Sequence, residues 1–333
     1  MVLTSPMSPQ TREGCVRTVS ELFEAWLPHA EARLEVATMI GYRSVVRQLL
    51  PIVGDRELDD LTAVDLDQLY GHLLAAGRQP TTVHRHHRVL HAALRQAVRW
   101  GWLSSNPADA ASPPRLRRRR IRPPTADEVL RLIAAATSSG SPDLGVALRV
   151  LVATGMRRGE VCGLRWRDVD VVAGTLRIEG SVVHGEVGIV EKDTKTHGVR
   201  RLSIDGGTVA VLQAHRAECA RRALAGGMIL GADAFVLSSS VDGLLPWRPN
   251  RLTQAFARLR AQLGLDHVRL HDLRHFQATE LIAAGVDVRT VAGRLGHADP
   301  STTLRIYAAF MEPADQGAAR VIERLLADSS GGG

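Results

Sequence analysis

Hydrophobic side chains recur at the spacing of amphipathic helices from Thr18 onward, whereas residues 1–16 show no such period and are predicted to form a disordered tail. Thr18 and Glu21 have the spacing of a capping box, which predicts the start of the first helix. A second helical pattern covers residues 40–50, and Pro51 is expected to end it. The first part of the chain is therefore predicted to form short amphipathic helices.

A third helix is predicted from Thr62, and the fourth, over residues 82–100, carries two neighbouring stripes. The apolar stripe is Val83, Leu90, Leu94 and Ala97. The basic stripe is His84, Arg88, His91, Arg95 and Arg99. An apolar face that seats the helix and a basic face left outside fit a helix laid on DNA phosphates, with a merely solvated charged face as the alternative. Residues 17–106 are thus predicted to be a helical DNA-binding domain.

Residues 107–124 combine prolines with a run of arginines. Prolines and like charges keep a segment extended, so we predict an interdomain linker that lies on a phosphate backbone. A nonspecific basic tract is the alternative. The arginines expected to contact DNA here are Arg115, Arg117, Arg118, Arg119, Arg120 and Arg122.

Beyond the linker the pattern mixes helices with short strands. Thr125 and Glu128 form another capping box, and strands are predicted at residues 175–179, 188–191 and 200–204 as a small antiparallel sheet. Helices return at Thr208 and are expected at residues 250–263, 270–284 and 288–295. The predicted fold class is mainly α with a small antiparallel sheet (α+β). Its second domain covers residues 125–312, and a C-terminal helix or tail covers residues 313–333.

The amino-acid composition indicates which kind of binding partner and which cellular compartment to expect. The net charge of +7 and the pI near 10.1 point to a polyanion, either nucleic acid or an anionic membrane surface. No run approaches the roughly 20 apolar residues of a membrane span, and no signal peptide is visible, so a cytoplasmic protein without a membrane partner is expected. The cysteines, Cys15, Cys162 and Cys219, have spacings that predict neither disulfides nor a metal site.

Lysine use is unusual, because 40 of the 42 basic residues other than histidine are arginine. The two lysines, Lys192 and Lys195, stand three residues apart. Lysine can act as a general acid, whereas arginine does not release its proton near neutrality. Chance retention of two surface lysines is the alternative.

Residues 154–160 read Thr-Gly-Met-Arg-Arg-Gly-Glu and join an apolar helix at 144–153 to a second helix predicted at 160–166. Arg157 would stand at the turn, beside a helix start whose amides favour anions. This position suits a phosphate oxygen. An ordinary ion pair with Glu160 is the simpler alternative.

His271 and Arg274 are neighbours on one face of a predicted helix, where an imidazole beside a permanent cation suits phosphoryl chemistry. His271 and His275 also imitate a zinc-binding helix. Asp272 in place of glutamate, the nearby arginine and the lack of a third ligand speak against zinc, so no metal site is predicted. Further on, Gly296-His297 leads to Tyr307, which taken singly would be read as a core tyrosine.

The ordered set is more specific than any member: Thr-Gly-x-Arg-x-x-Glu, a lysine near a strand turn, His-x-x-Arg, Leu-Gly-His and then a tyrosine. It resembles the tyrosine recombinase family, also called phage integrases, over both halves of the chain. The resemblance implies that Arg157 and Arg274 clamp the scissile phosphate and that Tyr307 is the nucleophile. It further implies that His271 and His297 assist, that Lys195 protonates the leaving 5′ oxygen, and that Glu160 supports the site.

The resemblance also implies double-stranded DNA as substrate, a homotetramer in the synaptic complex, and chemistry without a metal, ATP or another cofactor. It implies that the segment at 313–333 docks on a neighbouring subunit, with packing on its own core as the alternative. The two-domain layout resembles the simpler recombinases of chromosomes, plasmids and transposons. Accessory DNA-bending or directionality proteins, the role of Lys192, and attack of Tyr307 in cis or in trans stay open. The alternatives are type IB topoisomerase-like relaxation, a non-catalytic DNA-binding protein on the same scaffold and, more distantly, a zinc hydrolase.

Overall fold

Two separate hydrophobic cores divide the chain into units, Met1–Arg119 and Arg120–Gly333. The structure is a computed structural model, and it describes residues 17–116, 122–185, 188–193 and 198–296, with residues 319, 322 and 323. The predicted tail at residues 1–16 and nearly all of the predicted C-terminal segment at 313–333 lie outside this range.

The first unit is helical, as predicted. Its helices are α1 (Val19–Glu31), α2 (Val36–Val53), α3 (Ala63–Ala75) and α4 (Pro80–Arg99). The capping box before α1 is confirmed, since the Thr18 hydroxyl accepts from the Glu21 backbone N–H at 3.3 Å and the Glu21 carboxylate accepts from the Thr18 N–H at 2.8 Å. Phe23, Leu49 and Leu66 are at most 1% exposed and form the centre of this core.

The prediction that Pro51 ends the second helix is wrong, because α2 continues to Val53. A proline so close to the C-terminal end removes one backbone hydrogen bond. The Gly54 N–H still donates to the Leu50 carbonyl at 2.9 Å, and Val53 is buried in the core. Burial of that last turn offsets the lost bond.

The apolar stripe of α4 seats the helix as predicted, since Val83, Leu90, Leu94 and Ala97 are all at most 1% exposed. The chain beyond α4 stays packed on this unit for longer than a linker from residue 107 implies. Pro107–Asp109 form a short 3₁₀ turn in which Ala108 is buried. The Asn106 side chain fastens this turn by donating to the His91 carbonyl.

The second unit is built around α6. Its helices are α5 (Ala126–Ser138), α6 (Pro142–Thr154), α7 (Arg158–Gly163), α8 (Gly206–Ala225), α9 (Pro249–Gln262), α10 (Asp272–Ala283) and α11 (Val288–Leu295). Leu144, Leu148 and Leu151 are buried together with Val146 and Val150, so α6 is covered on nearly all sides. It packs against α5, α8 and α10, which makes it the central element of this core.

In the part of the chain that the structure describes, the strands form two small antiparallel sheets, whereas one was predicted. β1 (Val169–Asp170), β2 (Thr175–Ile178) and β5 (Arg200–Ser203) pair in that order, with Ile178 opposite Arg200. β3 (Gly180–His184) pairs with β4 (Ile189–Asp193) as a separate hairpin. The sequence pattern did not predict β3, because Gly180 and Ser181 precede an apolar pair too short to show alternation.

Two helices, α7 and α10, have boundaries that differ from the predicted ones. α7 starts at Arg158 and ends at Gly163, because the backbone N–H groups of Trp166 and Arg167 donate to carbonyls of Ala234 and Ala232 instead of continuing the helix. α10 starts at Asp272, so that His271 is the residue directly before the helix and does not lie within it. In the part of the chain that the structure describes, no helix combines the length and apolarity that a membrane crossing requires.

Candidate active site

A left-handed turn after α6 positions Arg157. Gly155 follows the helix with φ +64°, a conformation that glycine adopts without steric cost. A Cβ at this position would lie 2.2 Å from the Gln277 side-chain oxygen and 2.6 Å from Leu295 Cδ2. Glycine is therefore required here both by the backbone angle and by the close approach of α10 and α11.

The buried Thr154 hydroxyl stabilises the same turn. It donates to the Val150 carbonyl at 2.6 Å and accepts from the Met156 N–H at 3.2 Å. Because these bonds fix the backbone of the turn, Arg157 lies directly before the first residue of α7. The Thr-Gly-x-Arg motif thus places its arginine through the turn that the threonine and the glycine make.

Arg157 is held at two points and remains 39% exposed at its side chain. Its Nη1 donates to Glu160 Oε1 at 3.0 Å, and its Nη2 donates to the Gly296 carbonyl at 2.8 Å. The guanidinium is oriented by these bonds while part of it faces solvent. Such a group is suited to bind an anion without first reorganising.

Glu160 is only 4% exposed at its side chain and is surrounded by cationic donors. Burial raises the pKa of its carboxyl, but hydrogen bonds and charge from Arg200, followed by those of Arg157, outweigh burial and bring the pKa below its usual value. Glu160 is therefore an anion near neutral pH. The simpler alternative of an ion pair between Arg157 and Glu160 is present, and it is part of the site.

Arg274 is buried, with 3% of its surface exposed, and reaches the same place from α10. It donates to the Gly155 carbonyl and, from Nη2, to the Leu295 carbonyl at 2.7 Å. Gln277, one turn later on α10, donates to the Ala153 carbonyl at 2.8 Å. α10 thus connects the turn after α6 with the end of α11.

Three arginines converge on the C-terminal end of α11. The carbonyl oxygens of Arg294, Leu295 and Gly296 accept from Arg200, Arg274 and Arg157, respectively. A helix C-terminus carries partial negative charge, which favours cations there. Among the described residues, this cluster brings the guanidinium groups of Arg157, Arg200 and Arg274 together with the carboxylate of Glu160, and an excess of positive charge favours an anionic ligand.

His271 stands directly before α10 and is an exposed residue. Partial burial, the neighbouring His275 and the charge of Arg274 lower the pKa of His271 to about 4. The ring is therefore neutral at pH 7 and can accept a proton or a hydrogen bond. The His271 and His275 rings lie 4.9 Å apart at an angle of 88°, and Asp272 between them is bonded to Arg269 at 2.9 Å. Within the described ranges, no three His, Cys, Asp or Glu side chains are grouped to hold a metal ion.

The structure thus brings Arg157, Glu160 and Arg274 together and places His271 beside Arg274. Lys195, His297 and Tyr307 lie outside the described residues, although Lys195 follows β4 and His297 follows the last described residue of the α11 end. Sequence reasoning missed Arg200 and Gln277. Among 40 arginines, one at the start of a strand carries no signal that would separate it from a surface residue.

The predicted DNA-contacting face lies on the surface of the first unit. Arg88, Arg95 and Arg99 are exposed, and His84 and His91 are half-buried, with His91 Nε2 2.7 Å from Asp109 Oδ1. A groove of about 630 Å³ between α2 and α4 is lined by the first four of the five basic-stripe residues, His84, Arg88, His91 and Arg95. Arg115 and Arg122 are exposed, whereas Arg117, Arg118, Arg119 and Arg120 lie outside the described residues.

Comparison with known proteins identifies this architecture. The sequence pattern of the phage integrase family matches residues 124–312, and that of the phage integrase N-terminal SAM-like domain matches residues 18–74. The tyrosine recombinase XerC of Alcanivorax borkumensis is 30% identical over 82% of this chain and 84% of its own length.

Solved structures share the fold. The Tn1549 transposon integrase in complex with a circular intermediate DNA has a TM-score of 0.76 at 20% identity, covering 91% of this chain and 99% of that one. A lambda integrase tetramer bound to a Holliday junction has a TM-score of 0.66 at 22% identity, covering 87% of this chain and 77% of that one.

A helical unit followed by an α+β unit with clustered arginines defines the class of tyrosine-type DNA recombinases. The chain belongs to the phage integrase family, because the catalytic-domain match alone covers more than half of it. The chain is accordingly a site-specific DNA recombinase.

Proposed function

We propose that this chain cuts and rejoins double-stranded DNA through a covalent 3′-phosphotyrosyl intermediate, with Tyr307 as nucleophile. The observation that supports this most is the convergence of Arg157 and Arg274 on the end of α11. That end is followed in the chain by His297 and, ten residues later, by Tyr307. An anion seated on these guanidinium groups would lie close to Gly296, the residue directly before His297 in the chain.

In the proposed step the Tyr307 oxygen forms a bond to the scissile phosphorus, and the bond from phosphorus to the 5′ oxygen breaks. Arg157 and Arg274 stabilise the negative charge that develops on the non-bridging oxygens. His297 adds a hydrogen bond to the same oxygens. The positive cluster and the exposed part of Arg157 support this assignment.

Proton transfer is assigned to His271 and Lys195. The tyrosine hydroxyl must lose its proton as it attacks, and the lowered pKa of His271 leaves its ring neutral and able to take part as an acceptor. Lys195 donates a proton to the departing 5′ oxygen, which becomes a hydroxyl. Religation is the reverse reaction with a 5′ hydroxyl from the partner duplex, and it needs no energy source because the phosphotyrosine conserves the bond.

The basic stripe of α4 and the arginines of the 107–124 segment are proposed to bind the DNA backbone. We further propose a homotetramer on two DNA sites with a Holliday junction between the strand exchanges, in line with the tetramer described for lambda integrase. Work on DNA inside the cell would place the protein in the cytoplasm. Accessory DNA-bending or directionality proteins are left open.

The test is incubation of the full chain with a nicked suicide duplex carrying its natural site, with EDTA present, followed by denaturing electrophoresis. We expect a covalent protein–DNA band that is lost in Tyr307→Phe, because phenylalanine has no attacking oxygen. Tight binding of the duplex without such a band would refute the catalytic proposal. Relaxed circles without recombinant products from a two-site plasmid would instead indicate topoisomerase-like activity.

A further inference from the structure

Arg200, the first residue of β5, is bound to the candidate active site through its whole guanidinium group. Its Nη2 and Nη1 donate to the two carboxylate oxygens of Glu160 at 2.6 and 3.1 Å, and its Nε donates to the Arg294 carbonyl at 3.2 Å. Its side chain is 11% exposed. A surface arginine of a strand would point into solvent, whereas this one faces inward and uses three of its donors.

Glu160 is shared between Arg200 and Arg157. Oε2 accepts from the Arg157 backbone N–H at 2.8 Å and from Arg200, and Oε1 accepts from Arg157 Nη1 at 3.0 Å and from Arg200. Each carboxylate oxygen thus has one bond to each arginine. The position of Glu160 therefore depends on Arg200, and the position of Arg157 depends on Glu160.

Arg200 also lies against the second anchor of Arg157. A Cβ built on Gly296, whose carbonyl accepts from Arg157 Nη2, would lie 2.8 Å from Arg200 Nη1. The glycine lets the guanidinium of Arg200 pack directly on the backbone that holds Arg157. The Arg200 side chain thus lies against both groups that orient Arg157, the Glu160 carboxylate and the Gly296 backbone.

The charges explain why a second cation is needed. A carboxylate as deeply buried as Glu160 would bear a large desolvation cost with a single partner that is itself partly exposed. A bidentate arginine offsets this cost, and it leaves part of the Arg157 guanidinium available to solvent. Without Arg200, Glu160 would either take up a proton or draw Arg157 inward.

We propose that Arg200 is a positioning residue for strand cleavage, acting through Glu160 and Gly296 to hold Arg157 in the orientation that binds the scissile phosphate. This inference rests on the proposed function. It assigns a role to a residue that makes no contact with the DNA in the proposed reaction.

The test compares Arg200→Met, Arg200→Lys and the control Arg201→Met in the full chain. Arg201 is the next residue of the same strand, is 63% exposed at its side chain and pairs with Asp170 outside the site. Single-turnover formation of the covalent complex and the Kd for the suicide duplex are measured for each. We expect Arg200→Met to slow cleavage by about 10- to 100-fold, as expected for a misplaced catalytic group, with Kd changed by less than about 3-fold.

Arg200→Lys should recover part of the rate, because lysine keeps the charge but offers no bidentate fork. Arg201→Met should cleave like the wild type. In a Glu160→Gln background, Arg200→Met should cause little further loss, since both changes break one chain of contacts. The loss in Arg200→Met should also be larger at pH 6 than at pH 8, because a Glu160 deprived of its partner is protonated more readily.

A merely structural role would lower stability in Arg200→Met without a rate loss in protein that remains folded. Equal cleavage rates for wild type and Arg200→Met, or independent effects of Arg200→Met and Glu160→Gln, overturn the inference. A wild type that forms no covalent complex overturns the proposed function instead. In that case the double-mutant cycle in unfolding free energy still decides whether Arg200 and Glu160 are coupled.

Discussion

At the scale of a single residue, the surroundings of His271 determine the protonation state of its ring. His271 stands at the start of α10, and its pKa is lowered to about 4 by partial burial and by the neighbouring His275 and Arg274. The unfolded chain restores an ordinary histidine, with a pKa near 6.5. Between these values the unfolded chain binds a proton that the folded chain does not.

The contribution of His271 to stability is therefore present above about pH 6.5 and is lost as the pH falls toward 4. We expect His271→Asn, which cannot titrate, to lose less stability than the wild type over this interval. The difference should be on the order of 1 kcal/mol, because His271 is an exposed residue and solvent screens the interactions that lower its pKa. Urea unfolding at pH 7.0 and 4.5 measures it.

An equal loss in both proteins would mean that His271 is charged in the folded state at pH 5. The ring would then have the ordinary pKa of a histidine, near 6.5, and would still be mostly neutral at pH 7, so its role as proton acceptor would not depend on a shifted pKa.

Residue-level prediction from the sequence worked where a motif supplies its own geometry. Thr154, Gly155 and Arg157 form a local turn, so their spacing carried the information. Arg200 could not be found in this way. Its partner Glu160 lies on α7, 40 residues away in the chain, and the two side chains meet only in the folded structure.

At the scale of elements, α4 has one face that packs in the core and another that lies on the surface. Its apolar stripe is buried in the core of the first unit, and its basic stripe lines the groove beside α2. Arg88 and Arg95 lie seven residues apart on this surface and are exposed. If this face binds DNA, each should neutralise one phosphate.

We expect Arg88→Gln and Arg95→Gln each to weaken binding to the natural duplex and to reduce the slope of log K against log salt by about 1. Fluorescence anisotropy between about 50 and 200 mM salt measures this slope. Arg56→Gln is the control, because Arg56 lies in the loop after α2 and is 61% exposed near Asp65. Unchanged slopes in both α4 variants would leave the basic stripe as an ordinary solvated face.

The helix starts that have a capping box were predicted well, because a capping box is a contact between residues three apart. Thr18 and Thr125 both begin helices as expected. Ends and strands were predicted less well. α7 is cut short by backbone bonds to residues 232 and 234, and the missed β3 is recognisable only by its pairing with β4.

At the scale of the whole molecule, the described residues form two large hydrophobic cores that share no residues, beside a small cluster of Ala278, Val291 and Leu295. Leu90 of α4 belongs to the first and Leu148 of α6 to the second, and both are at most 1% exposed. Cores that are separate in this way are expected to unfold as separate cooperative units.

We expect Leu90→Ala and Leu148→Ala each to destabilise the unit that contains it by about 2–5 kcal/mol through the cavity that is created. Protection of backbone amides in the other unit should change little, as native-state hydrogen exchange can measure. A uniform loss of protection across both units in either variant would show a single cooperative fold instead.

The sequence by itself determined the helical character of the first unit, the seating of α4, and the identity of the phage integrase motifs, because each depends on residues within a few turns of one another. Only the tertiary structure decided which arginines meet. Arg157 and the Gly296 carbonyl are 139 residues apart in the chain, and Arg200 and the Arg294 carbonyl are 94 apart. Such contacts follow from the packing of α6, α10, α11 and β5, and no local pattern of side chains encodes that packing.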